Sequence, residues 1–126
     1  MSYLDKWFEY TARQLEMKEE IEKAILRVHG STLNLNEFFL LYFLHKAPSQ
    51  RLMQLELQDK LHLSASAISR MLAKLEAKDC GVIEKASSKS DKRVTYIVLT
   101  DAGRKMLADI FKEVEASLAK YSKFLD

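Results

Sequence analysis

The stretch that decides the fold begins Leu63-Ser64-Ala65-Ser66-Ala67-Ile68-Ser69-Arg70-Met71-Leu72-Ala73-Lys74-Leu75-Glu76. It continues through Gly81-Val82-Ile83-Glu84-Lys85, a polar basic loop from Ala86 to Lys92, Arg93-Val94-Thr95-Tyr96-Ile97-Val98-Leu99 and Thr100-Asp101-Ala102-Gly103. Ser64 stands where a hydroxyl can accept from the unpaired N–H groups of a starting helix, which is expected to run to about Lys78. Arg93 to Leu99 is rich in Val, Thr, Tyr and Ile and alternates as a strand does, so it pairs with Gly81 to Lys85 as a hairpin. Thr100 is placed to cap another helix. The order is helix, hairpin with a basic tip, helix.

The two sides of the first of these helices differ sharply. With Ser66 at 0° and about 100° added per residue, Ile68, Leu72 and Leu75 fall near 200°, 240° and 180°, an inward stripe. On the same scale Ser66, Arg70, Ala73 and Lys74 fall at about 0°, 40°, 340° and 80°, with Ser69 at about 300°. That outward face is small, hydroxylated and basic. Small residues allow close approach to base edges, hydroxyls can bond bases or phosphates, and Arg can bond guanine with two parallel hydrogen bonds. A solvated face more often mixes both charge signs.

Charge follows the same map. Between Ser64 and Arg93 seven bases face four acids, an excess of +3 in a chain whose net charge is +2. The positive excess therefore sits in the helix-and-hairpin unit, where phosphate contact requires it, although lysines on a hairpin also serve solubility.

Outward from this unit, Tyr3 to Val28 reads as one long helix, with Leu4, Trp7 and Phe8, then Leu15, then Ile21, Ala24, Ile25 and Val28 at helical spacing. His29-Gly30 supplies its stop. Asn34 or Asn36 caps the next helix, which is apolar on nearly all sides from Phe38 to Leu44 and is expected to be the buried centre. A third helix is expected from about Gln50 to Leu61, with Leu52, Leu55 and Leu61 inward. In the last helix Leu107, Phe111, Val114, Leu118, Tyr121 and Leu125 recur by fours and threes, the period of a helix-pairing seam. These residues, with Leu4, Trp7 and Phe8, carry more apolar surface than so small a core needs, so pairing of two copies is expected alongside packing within the chain.

At 126 residues with one Pro and three Gly, the chain reads as a single mainly α domain with a small β-hairpin wing, residues 1–126. Residues 3–29 and 100–126 form long dimerisation helices, and 34–99 a winged helix-turn-helix lobe. In that layout the helix opened by Ser64 enters a DNA major groove and the hairpin tip reaches the adjacent minor groove.

Other function classes find no residues. There is no nucleophile–base pair, phosphate-binding glycine loop or paired carboxylate set, so no catalytic residue and no cofactor is assigned. His29, His45 and His62 are scattered and Cys80 stands alone, whereas tetrahedral zinc needs four gathered ligands, so no metal is expected. A lone cysteine in a tight turn is expected to be partly buried and inert rather than a redox sensor whose thiolate is stabilised by Lys78 or Lys85. Trp7, Phe38, Phe39, Tyr42 and Phe43 are expected to pack as core rather than line a ligand cleft. With no targeting segment, no apolar run near the roughly 20 residues of a membrane span and a single cysteine, the expected compartment is a reducing cytoplasm.

The run from Glu56-Leu57 through Leu61-His62-Leu63-Ser64, then Ile68, Leu72 and Leu75-Glu76, Asp91-Lys92-Arg93 and Leu99-Thr100-Asp101-Ala102-Gly103, resembles the MarR family of bacterial winged-helix regulators. The Asp-X-Arg wing followed at the right distance by Leu-Thr-X-X-Gly is the specific part. The turn Lys78-Asp79-Cys80-Gly81-Val82 is about one residue longer than the family's usual one, and one terminal helix is expected to be shortened or absent relative to typical members. The resemblance implies a homodimeric transcriptional regulator, a repressor before an activator, whose partners are double-stranded DNA and a second copy of itself, with a small-molecule effector unidentified. It implies that Arg93 enters the minor groove, whose narrow form concentrates negative potential, and that Asp91 holds it. A purely local hairpin ion pair is the plainer alternative. The DNA-facing set is then Ser64, Ser66, Ala67, Ser69, Arg70, Lys74, Lys89, Asp91, Lys92 and Arg93. A winged-helix protein-interaction module without sequence-specific DNA binding is the alternative, and would sooner present an acidic or apolar outward face.

Overall fold

The structure, a computed structural model, describes residues 2–28, 31–77 and 80–126. Helix α1 (Tyr3–Arg27) is followed by α2 (Leu35–Lys46), the two-residue strand β1 (Arg51–Leu52), α3 (Gln54–Leu61) and α4 (Ala65–Glu76). The strands β2 (Ile83–Ser87) and β3 (Thr95–Leu99), helix α5 (Asp101–Leu118), a 3-10 turn and α6 (Ser122–Leu125) complete the chain. Two compact units emerge, Asn36–Ala108 and Met1–Leu35 with Asp109–Asp126, and α5 contributes to both.

In the Asn36–Ala108 unit α2 is the buried centre that its composition requires: Phe38, Leu40, Leu41 and Leu44 are all buried. The remaining aromatic expectation needs correcting, since Phe39 and Phe43 are half-buried and Tyr42 is exposed. The third helix is also shorter than expected. Pro48–Gln50 forms a 3-10 turn in which Ser49 and Gln50 take left-handed φ values of 58° and 50°. Successive left-handed residues cannot continue a right-handed helix. Arg51 and Leu52 instead pair with Val98 and Ile97, making a three-stranded antiparallel sheet of order β1-β3-β2 where the sequence reading has only a hairpin. Because α3 starts at Gln54, its buried residue is Leu57, and Leu55, expected inward, is 65% exposed. Glu56 caps the new start, its Oε1 accepting from the Met53 backbone at 2.9 Å.

The hairpin register pairs Ile83 with Leu99 and Ser87 with Thr95, so Ala86 and Ser87 belong to the first strand and Arg93 to the tip. The turn before it opens with Lys78 and Asp79, which lie outside the described residues. It closes on Gly81, which takes φ 58°, a value glycine adopts without a Cβ clash. Cys80 beside it is half-buried.

In the other unit α1 and the C-terminal helices pack antiparallel. The Tyr10 and Phe124 rings lie 6.0 Å apart, Lys120 pairs with Glu20 at 3.6 Å, and Arg27 reaches Glu113 Oε2 at 3.1 Å and the buried Ser117 Oγ at 2.8 Å. The stop assigned to His29-Gly30 lies outside the described residues. Trp7, Phe8 and Leu4 face solvent rather than their own chain, at 56%, 59% and 63% exposure, against the expectation that Trp7 packs as core.

The proposed seam divides. Leu107 and Val114 are buried within the chain, together with Ile110 and Ser117, so they offer nothing to a second copy and are corrected to core positions. Phe111, Leu118 and Tyr121 are half-buried and Leu125 is exposed. Phe111 and Leu118 lie on the edge of the same stripe of α5, while Tyr121 and Leu125 belong to the 3-10 turn and α6 that break the expected single helix. Among the described residues no helix is long and apolar enough to cross a membrane.

Candidate nucleic-acid interface

Helix α4 starts as its first residue dictates: Ser64 Oγ accepts from the Ala67 backbone N–H at 3.1 Å. Ile68, Leu72 and Leu75 are buried, while Ser66, Ser69, Arg70, Ala73 and Lys74 are exposed and Ala67 is half-buried. Not all of the outward face is available. Ser69 Oγ accepts from Gln54 Nε2 of α3 at 2.8 Å, and Lys74 Nζ donates to Glu37 Oε1 of α2 at 2.8 Å. Lower on the helix Glu76 faces Lys85 of β2 at 3.9 Å. Ser66, Arg70 and Ala73 lie between these ties. Arg70 is thus the basic group at the centre of the face.

The hairpin tip is built from its own polar groups. The Ser88 N–H donates to the Val94 carbonyl at 3.0 Å, and Ser88 Oγ accepts from the backbones of Ser90 and Asp91, both at 3.3 Å. Asp91 Oδ1 then accepts from both the backbone N–H and Nε of Arg93, at 3.0 and 3.1 Å, and Oδ2 from Nη2 at 3.3 Å. Two parallel charge-assisted bonds fix the plane of the guanidinium as well as its position. The side-chain bond to Arg93, then the backbone one, holds the Asp91 carboxyl below its usual value of 3.8. Arg93 itself remains 92% exposed, and Lys89 and Lys92 are exposed beside it. The ion pair and an outward cation therefore coexist, because Asp91 engages only one edge of the fork.

What ties this hairpin to the helix that follows is a close crossing. The Thr100 N–H donates to the Val82 carbonyl at 3.1 Å, and Thr100 Oγ1 donates to the Gly81 carbonyl at 2.6 Å while accepting from the Gly103 N–H at 3.0 Å. A Cβ on Gly103 would lie 2.0 Å from the Val82 carbonyl oxygen, so only glycine permits the approach. Val82 in turn donates to the Leu75 carbonyl at 3.0 Å, which joins the end of α4 to the root of the wing. On the same sheet the Arg51 guanidinium lies over the Tyr96 ring at 4.1 Å, in range for a cation–π contact.

The structure thus brings Ser64, Ser66, Ala67, Ser69, Arg70 and Lys74 together on one helix and Lys89, Asp91, Lys92 and Arg93 together at one tip. Glu37 escaped the sequence reading. Its signal was present: an acid inside a helix apolar on nearly all sides must be buried and must find a partner.

Comparison with known proteins follows the same outline. Residues 33–95 match the family model described as MarR family. A Bacillus subtilis (strain 168) protein named HTH-type transcriptional regulator MhqR is 36% identical over 91 residues, 72% of this chain but only 60% of that relative's length. The solved structure of Sco3205, a MarR family transcriptional regulator from Streptomyces coelicolor in complex with DNA, superposes with a TM-score of 0.73 at 24% identity, covering 90% of this chain and 69% of that one. CouR from Rhodococcus jostii RHA1, solved bound to p-coumaroyl-CoA, gives 0.81 at 20% identity, covering 95% and 80%. These two likenesses concern the fold.

Proposed function

This chain belongs to the MarR family, and on that premise we propose that it is a cytoplasmic, homodimeric transcriptional regulator that binds double-stranded DNA sequence-specifically and acts as a repressor. The observation that carries the reading is the pair of exposed arginines on rigid supports. Arg70 stands on a helix anchored by Ile68, Leu72 and Leu75, and Arg93 on a tip organised by Asp91. In this reading Arg70, with Ser66 and Ala67, meets base edges in the major groove, where a bidentate contact discriminates by about 1–3 kcal/mol. Arg93, aided by Lys89 and Lys92, enters the minor groove alongside. Ser64 and Ser69, whose Oγ atoms already accept from Ala67 and Gln54, keep their hydroxyl protons to donate to phosphates.

Two such units per duplex require a second copy, and the exposed Leu4, Trp7, Phe8 and Leu125, with the flanks of Phe111, Leu118 and Tyr121, are the surface assigned to it. An obligate interface of this kind buries on the order of 2,000 Å² or more. The operator is then a pseudo-palindrome with half-sites about one helical turn apart. Selection of bound fragments from random duplex DNA tests the whole reading. Enrichment of a two-fold symmetric site is the expected result, and a selection that enriches nothing over bulk DNA would overturn it in favour of a protein-interaction module.

A further inference from the structure

The geometry points to Lys74 as a positioning residue that fixes the rotation of α4 through the buried Glu37, rather than as a cation offered to DNA. We infer this within the DNA-binding reading above, whose recognition helix is α4. Three observations converge. The Glu37 carboxylate belongs to α2, the centre of its unit, and its side chain is only 2% exposed. Lys74 Nζ sits 2.8 Å from its Oε1, the shortest ion pair that reaches across elements to α4. Lys74 lies at about 80° on the α4 wheel, the flank turned toward α2, whereas Ser69 and Glu76 at about 300° and 280° are tied on the opposite flank to α3 and β2.

The helix is therefore held by polar contacts from both flanks, and the arc between them carries Ser66, Arg70 and Ala73. The two flanks differ in what they tolerate. Exposed pairs such as Glu76 with Lys85 are worth little, because water competes for both groups. Loss of a charged partner costs more at a carboxylate that is 2% exposed, as Glu37 is, than at the surface, because water cannot take the partner's place. The apolar stripe alone permits small rotations of a helix, since Ile68, Leu72 and Leu75 slide on other apolar groups without losing direction-specific bonds. A short charged bond to a fixed carboxylate does not. A misplacement of about 1 Å at a recognition contact is enough to lose it. Lys74 thereby sets where the Arg70 guanidinium points.

The charge arithmetic makes the inference testable. If Lys74 neutralised a phosphate, Lys74→Met would lower the salt slope of binding by about one unit, and Glu37→Gln, which removes a negative charge, would tighten binding or leave it alone. The tether predicts the opposite pattern. Lys74→Met should weaken binding to the selected operator about tenfold with an unchanged salt slope. Glu37→Gln should weaken it too, despite the loss of an acid, and Lys74→Arg should restore most of the affinity. The double variant Glu37→Gln with Lys74→Met should fall short of the product of the single effects. A salt slope reduced by one in Lys74→Met, or tighter binding by Glu37→Gln, overturns the tether. Thermal melting of the same four proteins keeps the two readings separable. Should the unmodified chain bind no preferred sequence, the DNA-binding reading fails. The tether is then judged by whether the two single substitutions lower the melting temperature non-additively, and additive shifts reject it.

Discussion

The Asn36–Ala108 unit and the terminal-helix unit differ in how much apolar surface they leave over, although the second also buries Met17, Ala24, Ile25, Ile110 and Val114. In the first, Phe38, Leu40, Leu41, Leu44, Leu57, Ile68, Leu72, Leu75, Val82, Ile83, Ile97 and Leu99 are buried within one copy of the chain. In the second, α1 leaves Tyr3, Leu4, Trp7, Phe8 and Leu15 exposed, and Leu125 is exposed at the other end of the chain. Both sets recur at helical spacing, so periodicity alone does not separate them. The distinction lies in what the spacing serves: one set closes a core, and the other stays exposed on this chain, where we propose that a second copy covers it. Fully burying a side chain of this size is worth about 1.5–3 kcal/mol, which is ample reason for two copies to cover such a face together.

The sharpest way to break the self-sufficient unit is Gly103→Ala. The substitution adds a Cβ 2.0 Å from a backbone oxygen, and a backbone cannot swing aside as a side chain does. Although Ala in a helix is worth about 1 kcal/mol over Gly, the clash should cost about 3 kcal/mol or more. A melting temperature at or above that of the unmodified protein would show that the crossing is looser than its geometry.

Next in size is Trp7→Glu, aimed at the other unit. Trp7 is 56% exposed, so helix content should stay while the dimer dissociates at micromolar concentration in sedimentation. Affinity for the operator should then fall at least tenfold, about 1.4 kcal/mol. An unmodified chain that already sediments as a monomer would dissolve the comparison altogether.

Arg93→Ala should leave both units folded, as its side chain is 92% exposed. Binding should weaken and its salt slope fall by about one unit. Unchanged affinity in salt titrations would reduce the Asp91–Arg93 pair to a local ornament of the hairpin.

The smallest effect is the titration of Asp91. Its carboxyl is held below 3.8 by Arg93, so its contribution to the order of the tip is complete above that value and is lost as pH falls through the lowered one. Carboxyl-carbon NMR should place the Asp91 midpoint below that of an unpaired aspartate, and return it to the ordinary value in Arg93→Ala. An identical midpoint in both proteins would mean that the two groups do not meet in solution.

How much of this was legible beforehand depends on range along the chain. The α4 cap and its inward stripe involve residues close in sequence, and spacing identifies them, whereas the Asp91–Arg93 pair was implied by the resemblance to the MarR family. The β1 strand was missed because its two residues pair with β3 far along the chain, and because the left-handed Ser49 and Gln50 carry no glycine to announce a turn. Leu55 was misplaced by the same error, since a helix begun at the wrong residue turns its faces. The division of the last helix between Leu107, Val114 and the outer residues is a tertiary fact that a repeat of threes and fours does not encode. The Leu-Thr-X-X-Gly opening was visible as a pattern, but its cause, the Val82 carbonyl against Gly103, needed the crossing itself.

The two-residue strand β1 also has a consequence in time. The β2–β3 hairpin closes over a short tip and can form within microseconds, as hairpins do. Pairing of Arg51 and Leu52 with Val98 and Ile97 must instead close the whole intervening chain, including α3 and α4, at a larger entropic cost. The ladder therefore assembles from its local side outward, and β1 joins only after both helices are in place. In the reverse direction β1, a strand of two residues paired on one side only, is expected to be the first to peel away. Native-state hydrogen exchange would record that opening as a partly unfolded form in which the hairpin keeps its protection and the strand beside it has lost it.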